Sequence, residues 1–269
     1  MRTTDYRQQP PVIFSIAGSD PSGGAGIQAD IKTISALNGY AAAAITAVTS
    51  QNTCGVQGVY PLPADVLQTQ ITSVMEDLQP TAIKIGMVYS LQLVEVIAQA
   101  IAHYHPPFIV FDPVMISTSG RRLMTEETVQ GIKRLLFPRC SLITPNLDEA
   151  AMLIGHPLCT PQQMAEAGLL LAARYGCQVL VKGGHLSGET MCDVLCSATG
   201  STSFLAPKSQ SHNLHGTGCT LSSAIATLLA RGYTMEKAVE EAKHYVSLAI
   251  DGGKEWHIGH GNGPLCHFN

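Results

Sequence analysis

Six short apolar runs recur along the chain, and longer segments with apolar residues at helical spacing lie between them. Val12–Ala17, Ala41–Val48, Ala82–Val88, Phe108–Phe111, Leu142–Ile143 and Val179–Val181 read as strands. Ile27, Ile31 and Ile34 predict a helix over 25–38, and Leu93, Ile97, Ala100 and Ile101 mark another. Further helices are expected at 64–77, 125–136, 146–155, 161–175, 216–231 and 235–251. Residues 190–205, rich in Thr, Val and Cys, suggest a hairpin. Strands that are apolar throughout belong in a sheet covered on both faces, which is the habit of parallel sheets. The expected fold is therefore α/β: a mostly parallel central sheet with helices on both faces, as one domain over 1–269.

Composition narrows the partners. Charged residues make up 13% of the chain and the net charge is −4, with basic residues scattered. Phosphate-backbone binding needs a basic block, so nucleic acid is not an expected partner. The N-terminal residues lack the apolar run of a signal peptide, and no stretch has the roughly 18 apolar residues of a membrane span. None of the eight cysteines forms a C-x-x-C pair, so reduced thiols in the cytoplasm are expected, most of them as small core residues.

In open parallel sheets, ligands bind beyond the carboxyl ends of the strands. Gly18, Gln51, Met87, Asp112, Asn146 and Lys182 fall at such ends. The stretch from Gly18 to Gly26, GSDPSGGAG, joins a strand to a helix and lets backbone approach a ligand, although a tight turn would read the same. Asp30 lies on the flank of that helix's apolar face, either as a ligand for a polar heterocycle edge or as a partly exposed edge residue. His215-Gly-Thr-Gly-Cys-Thr220 opens a clearly apolar helix. Gly216, Thr217, Gly218 and Cys219 would leave backbone N–H groups free for an anion or a phosphoryl group in transit. A helix terminus favours the thiolate of Cys219, a candidate base toward a substrate hydroxyl, with an ordinary glycine-rich cap over a buried thiol as the structural alternative. Asp112 and Glu149 offer carboxylates for a hydrated Mg2+, with a strand-end turn and an Asn146/Glu149 capping box as the structural alternatives. Lys182, in Lys182-Gly-Gly-His185, is placed to meet nucleotide phosphates, unless it is a solvated turn residue. The other histidines show no metal-ligand spacing.

Taken in order, GSDPSGGAGIQAD, TSQNT (49–53), KIGM (84–87), DPVM (112–115), TPNLDEA (144–150), VKGGH (181–185), HGTGCTLSSAIA (215–226) and GHGNGP (259–264) resemble one family over about residues 12–268. That family is the hydroxymethylpyrimidine/phosphomethylpyrimidine kinases of the ribokinase-like superfamily. The resemblance implies ATP-dependent phosphorylation of 4-amino-5-hydroxymethyl-2-methylpyrimidine and then of its monophosphate, in thiamine biosynthesis. By motif, Gly18, Asp30, Gln51 and Met87 would line the pyrimidine site, and Gly216–Cys219 would form the anion hole. Asn146, Glu149 and Lys182 would serve ATP and Mg2+, in a cytoplasmic homodimer. Gln51 carries donor and acceptor groups suited to an aminopyrimidine edge.

One loop departs from the family. Residues 116–120 read Ile-Ser-Thr-Ser-Gly, where relatives often carry lysine at the position of Thr118. Related pyridoxal kinases carry a cysteine where Ser117 stands, which argues against pyridoxal as the main substrate. A pyridoxal kinase on the same fold is the runner-up, and a silent binding protein with the same fold comes third. Intact HGTGC, Lys182 and Glu149 speak against the last.

Overall fold

The computed structural model describes residues 9–115, 124–184, 186 and 188–268. His185 and the departing loop, with Ser117 and Thr118, lie outside the described residues. The chain runs β1 (Val12–Ser19), α1 (Gly26–Ala36), β2 (Tyr40–Asn52), β3 (Gly55–Pro61), α2 (Ala64–Leu78), β4 (Ala82–Ile85) and α3 (Leu91–Tyr104). It continues through β5 (Phe108–Phe111), α4 (Glu126–Leu135), β6 (Leu142–Ile143), α5 (Leu147–Ile154) and α6 (Pro161–Tyr175). β7 (Gln178–Val181), β8 (Thr190–Ser197), β9 (Gly200–Pro207), α7 (Thr217–Ala230) and α8 (Met235–Gly253) complete it.

The strands form one nine-stranded sheet in the order β3-β2-β1-β4-β5-β6-β7-β8-β9. The stretch from β2 to β7 is parallel, while β3 and the β8–β9 hairpin add antiparallel edges. Alternation along the strands feeds two cores. Phe14, Ile16, Ile83, Ile85 and Phe111 point to the side covered by α2–α6. Ile13, Ala82, Val110, Leu142 and Leu180 pack under α7 and α8. The expected α/β architecture and its strand runs are found. β3 was not foreseen, since Gly55-Val-Gln-Gly-Val-Tyr-Pro carries two glycines that weaken strand propensity. β4 stops at Ile85 rather than Val88, so Gly86, Met87 and Val88 leave the sheet.

Two features aim the sheet's carboxyl edge. Register shifts interrupt β1 between Ala17 and Ser19 and β2 between Ser50 and Gln51. Such bulges turn side chains out of the strict two-residue alternation, and they fall at Gly18 and Gln51. The second feature is capping. Side chains of Ser90, Thr125, Asn146, Thr160 and Thr234 cap α3, α4, α5, α6 and α8. α1, α2 and α7 have no side-chain cap; at α7 the Thr217 N–H turns back to the Leu214 carbonyl, and those of Gly218 and Cys219 come next in the open first turn. No helix among the described residues is long and apolar enough to cross a membrane.

Candidate active site

A cavity of about 680 Å³ opens where the carboxyl ends of β1, β2, β4, β5 and β7 meet the entrances of α1 and α7. Gly18, Gln51, Met87, Asp112, Asn146, Glu149 and Lys182 line it, together with the turn Gly216–Cys219. The structure thus brings eleven of the twelve site residues expected from the sequence around one cavity.

The α7 entrance depends on two close approaches. Gly216 adopts φ +87°, and a Cβ there would sit 1.8 Å from the carbonyl oxygen of Gly24. Only glycine lets the two glycine-rich loops touch backbone to backbone. A Cβ on Gly218 would lie 3.2 Å from Asp112 Oδ2 and 3.3 Å from Lys182 Nζ. The first turn of α7 therefore faces the Asp112–Lys182 pair at contact distance. Lys182 donates to Asp112 Oδ1 at 2.7 Å, and the Thr144 hydroxyl donates to the same oxygen at 3.1 Å.

Asn146 and Glu149 form a full capping box: Glu149 N–H donates to Asn146 Oδ1 at 2.9 Å, and Asn146 N–H donates to Glu149 Oε2 at 2.8 Å. Both are cavity residues as well, so the capping role expected from spacing coexists with exposure to the site. Burial, the pull of Lys182 notwithstanding, and the neighbouring Asp112 charge push the Glu149 carboxyl up to about 7. A cation near Asp112 and Glu149 would relieve that repulsion. Among the described residues no three or more His, Cys, Asp or Glu side chains cluster as a metal cage. Two carboxylates, completed by water and substrate phosphate, are what Mg2+ ordinarily takes.

Two expectations are corrected. Asp30 does not reach the cavity. It is fully buried, held by Lys84 Nζ at 2.8 and 2.9 Å, by Ser15 Oγ at 2.6 Å and by Ser223 Oγ at 2.7 Å. Ser15 and Lys84 are cross-strand neighbours on β1 and β4, and Ser223 lies one turn beyond Cys219 on α7. The carboxylate is thus a clamp joining α1, two strands and α7 rather than a contact for a heterocycle. Its partner Lys84 borders the cavity instead. Burial works against the Lys84 charge, but Asp30 more than offsets it and holds its pKa above the ordinary lysine range. The thiolate expected at Cys219 is the second correction. Burial pushes this thiol up to about 11, against the opposing pull of Lys84 and a hydrogen bond from Gly26 N–H. Desolvation outweighs the helix terminus here.

Asp20 and His215 stand inside the glycine-rich motifs, where nothing local assigns them a role. His215 Nε2 lies 2.8 Å from Asp20 Oδ2 and 3.2 Å from the Gln51 amide. Their sequence signal was only their place beside the glycines. Lys84, in KIGM, is equally silent in the sequence, because a lysine inside an apolar strand gives no hint of which carboxylate will meet it.

A profile of phosphomethylpyrimidine kinase matches residues 20–266. The hydroxymethylpyrimidine/phosphomethylpyrimidine kinase of Escherichia coli strain K12 is 45% identical over 258 residues, spanning 95% of this chain and 97% of that protein. The crystal structure of phosphomethylpyrimidine kinase from Clostridium difficile 630 superposes with a TM-score of 0.80 at 40% identity, covering 90% of this chain and all of that one. The pyridoxal kinase of Staphylococcus aureus in complex with ADP gives a TM-score of 0.90 at 30% identity, over 97% of this chain and 94% of that one.

Proposed function

This chain belongs to the phosphomethylpyrimidine kinase family, with the ribokinase-like fold, and on that premise we propose that it phosphorylates hydroxymethylpyrimidine and then its monophosphate in thiamine biosynthesis, with ATP as donor. The observation that carries this reading is the meeting of three elements in one cavity. These are the Gly18–Gln51–Met87 wall, the uncapped Gly216–Cys219 turn, and Lys182 beside Asp112 and Glu149.

In the first step the hydroxymethyl oxygen bonds to the γ-phosphorus, the bond to the bridging oxygen breaks, and ADP departs. The hydroxyl proton passes to a base; Cys219 stands at the place for it, and can take the proton only as the thiolate, which burial disfavours before phosphate and substrate enter. In the second step an oxygen of the substrate's own phosphate attacks. The N–H groups of the first α7 turn face the charge that builds on the transferring group, and Lys182 adds a point charge beside it. Asp112 and Glu149 would hold Mg2+, which neutralises phosphate charge when bound. Leu214, Leu221, Val246 and Ile250 line an apolar part of the cavity fit for an adenine ring.

ADP release tests the reading, with hydroxymethylpyrimidine, its monophosphate and pyridoxal offered in parallel with ATP and Mg2+. Turnover on the first two is expected. Turnover on pyridoxal alone would transfer the site to vitamin B6 chemistry.

A further inference from the structure

The motif Gly259-His-Gly-Asn-Gly-Pro264 lies in the loop beyond α8, outside the parts that carry the reaction above. Its backbone is turned toward one residue. The N–H groups of His260 and Gly261 both donate to Thr53 Oγ1 at 3.1 Å, and the Asn262 N–H donates to the Thr53 carbonyl at 3.0 Å. A Cβ on Gly259 would overlap the Thr53 hydroxyl, and one on Gly261 would overlap the Thr53 carbonyl oxygen. Glycine at both places lets the loop close on Thr53.

Thr53 is the tip of an overhang. β1 accompanies β2 only as far as the Ser19–Val48 pair, while β2 and β3 pair with each other on to Asn52 and Gly55. A two-stranded ribbon by itself is marginally stable in water, yet this one carries cavity wall along Thr49, Gln51, Asn52, Thr53 and Cys54. Its turn is tied internally by the Cys54 N–H, which donates to Asn52 Oδ1 at 3.0 Å. The three bonds at Thr53 anchor its far end to the body of the protein.

The other end of the motif reaches the α7 entrance. The Gly263 carbonyl accepts from the His215 N–H at 3.1 Å, and Pro264 forms a parallel bridge with His215. Three residues on, His267 Nε2 lies 3.0 Å from Thr220 Oγ1 in the first turn of α7. One stretch of chain therefore touches the hairpin tip, the residue before Gly216 and the residue after Cys219.

We propose that residues 259–267 form a strut between the hairpin tip and the α7 entrance, and that the Thr53 hydroxyl, by accepting two of the strut's N–H groups, sets the distance between the substrate hydroxyl and the phosphoryl group in transit. The inference rests on the kinase reading above and deepens it. The hairpin wall holds the acceptor and the α7 turn faces the phosphoryl group, so the two halves of the reaction ride on different elements. Misplacing an attacking oxygen by about 1 Å can cost about 10²-fold in rate. Water then competes: its oxygen bonds to the γ-phosphorus, the bond to the bridging oxygen breaks, ADP and inorganic phosphate leave, and the spare proton goes to solvent. Thr53 acts through the hairpin and is a positioning residue.

The test measures, in one reaction, the ADP released and the phosphoryl groups transferred to hydroxymethylpyrimidine. In the wild type the two should match one for one. Thr53→Val keeps the side chain's shape and removes the acceptor. It should lower kcat at least ~10-fold and release at least ~2 ADP per transfer, with the KM for ATP within ~2-fold of wild type. Thr53→Ser keeps the hydroxyl and should behave as wild type. The exposed His260 and Gly261 N–H groups can turn to water, so Thr53→Val should melt within about 2 °C of wild type. A mere loss of folded protein would lower ADP and transfer together. A one-for-one ratio in Thr53→Val, a wild-type kcat in it, or equal losses in Thr53→Ser would each overturn the inference. Should Thr53→Val fail to fold, Gly261→Ala presses a Cβ on the Thr53 carbonyl from the loop side. It should uncouple ADP from transfer in the same way, and one-for-one release there would overturn the strut equally. A wild-type protein that transfers nothing to the pyrimidine would sink the kinase reading, and the strut with it.

Discussion

Replacing Asp30 by Asn separates a buried clamp from a ligand-binding carboxylate. The substitution keeps the side chain's shape and leaves Lys84, fully buried, without its counter-charge. Removing one partner of a buried ion pair costs about 3–5 kcal/mol, mainly through the uncompensated charge left behind. For a domain of this size each kcal/mol moves Tm by about 2 °C, so Asp30→Asn should melt roughly 6–10 °C lower. Adding Lys84→Met removes the stranded charge and fills its volume, and the double variant should recover most of the loss. Thermal unfolding followed by circular dichroism reads both numbers. KM for hydroxymethylpyrimidine, measured below the melting range, should change little in comparison. An Asp30→Asn protein that melts within 2 °C of wild type while its pyrimidine KM rises at least ~10-fold would refute the reasoning and restore Asp30 as a direct ligand.

Cys219→Ala should slow the first phosphorylation by about 10²–10³, the usual worth of a positioned base, and slow the second far less, because an ionised phosphate oxygen has no proton to lose. Equal losses in the two steps, read by ADP release on each substrate, would move Cys219 from base to wall. Glu149 has its carboxyl raised from 4.5 to about 7, so the folded protein holds that proton more tightly than the unfolded chain. The stability this contributes is full at low pH and is lost as pH rises from about 4.5 through 7. Glu149→Gln should therefore melt higher than wild type at pH 8, with the difference fading by pH 4.5; a lower melting point at pH 8 would mean that the attraction of Lys182 outweighs burial. Lys182→Met should raise the KM for ATP at least ~10-fold. An unchanged ATP KM would take Lys182 out of the phosphate site.

Local pattern and chain order were enough to place most of the fold. Apolar runs such as Val12–Ala17 and Phe108–Phe111 are buried strands because a sheet covered on both faces leaves no polar side to alternate with. The α7 entrance was also readable, since two glycines beside a threonine and a cysteine announce a helix start open to a ligand. Tertiary structure decided what depends on distance across the sheet. Asp30 and Lys84 are 54 positions apart, and Asp20 and His215 are 195 apart. No spacing rule could pair them. Nor could the sequence show the bulge at Ser50/Gln51 that turns Gln51 toward the cavity, because a bulge is a property of two paired strands. The thiol at Cys219 makes the same point in energy: the helix terminus is written locally, whereas the burial that outweighs it comes with the tertiary fold, in which α7 packs on α1, β4 and β5.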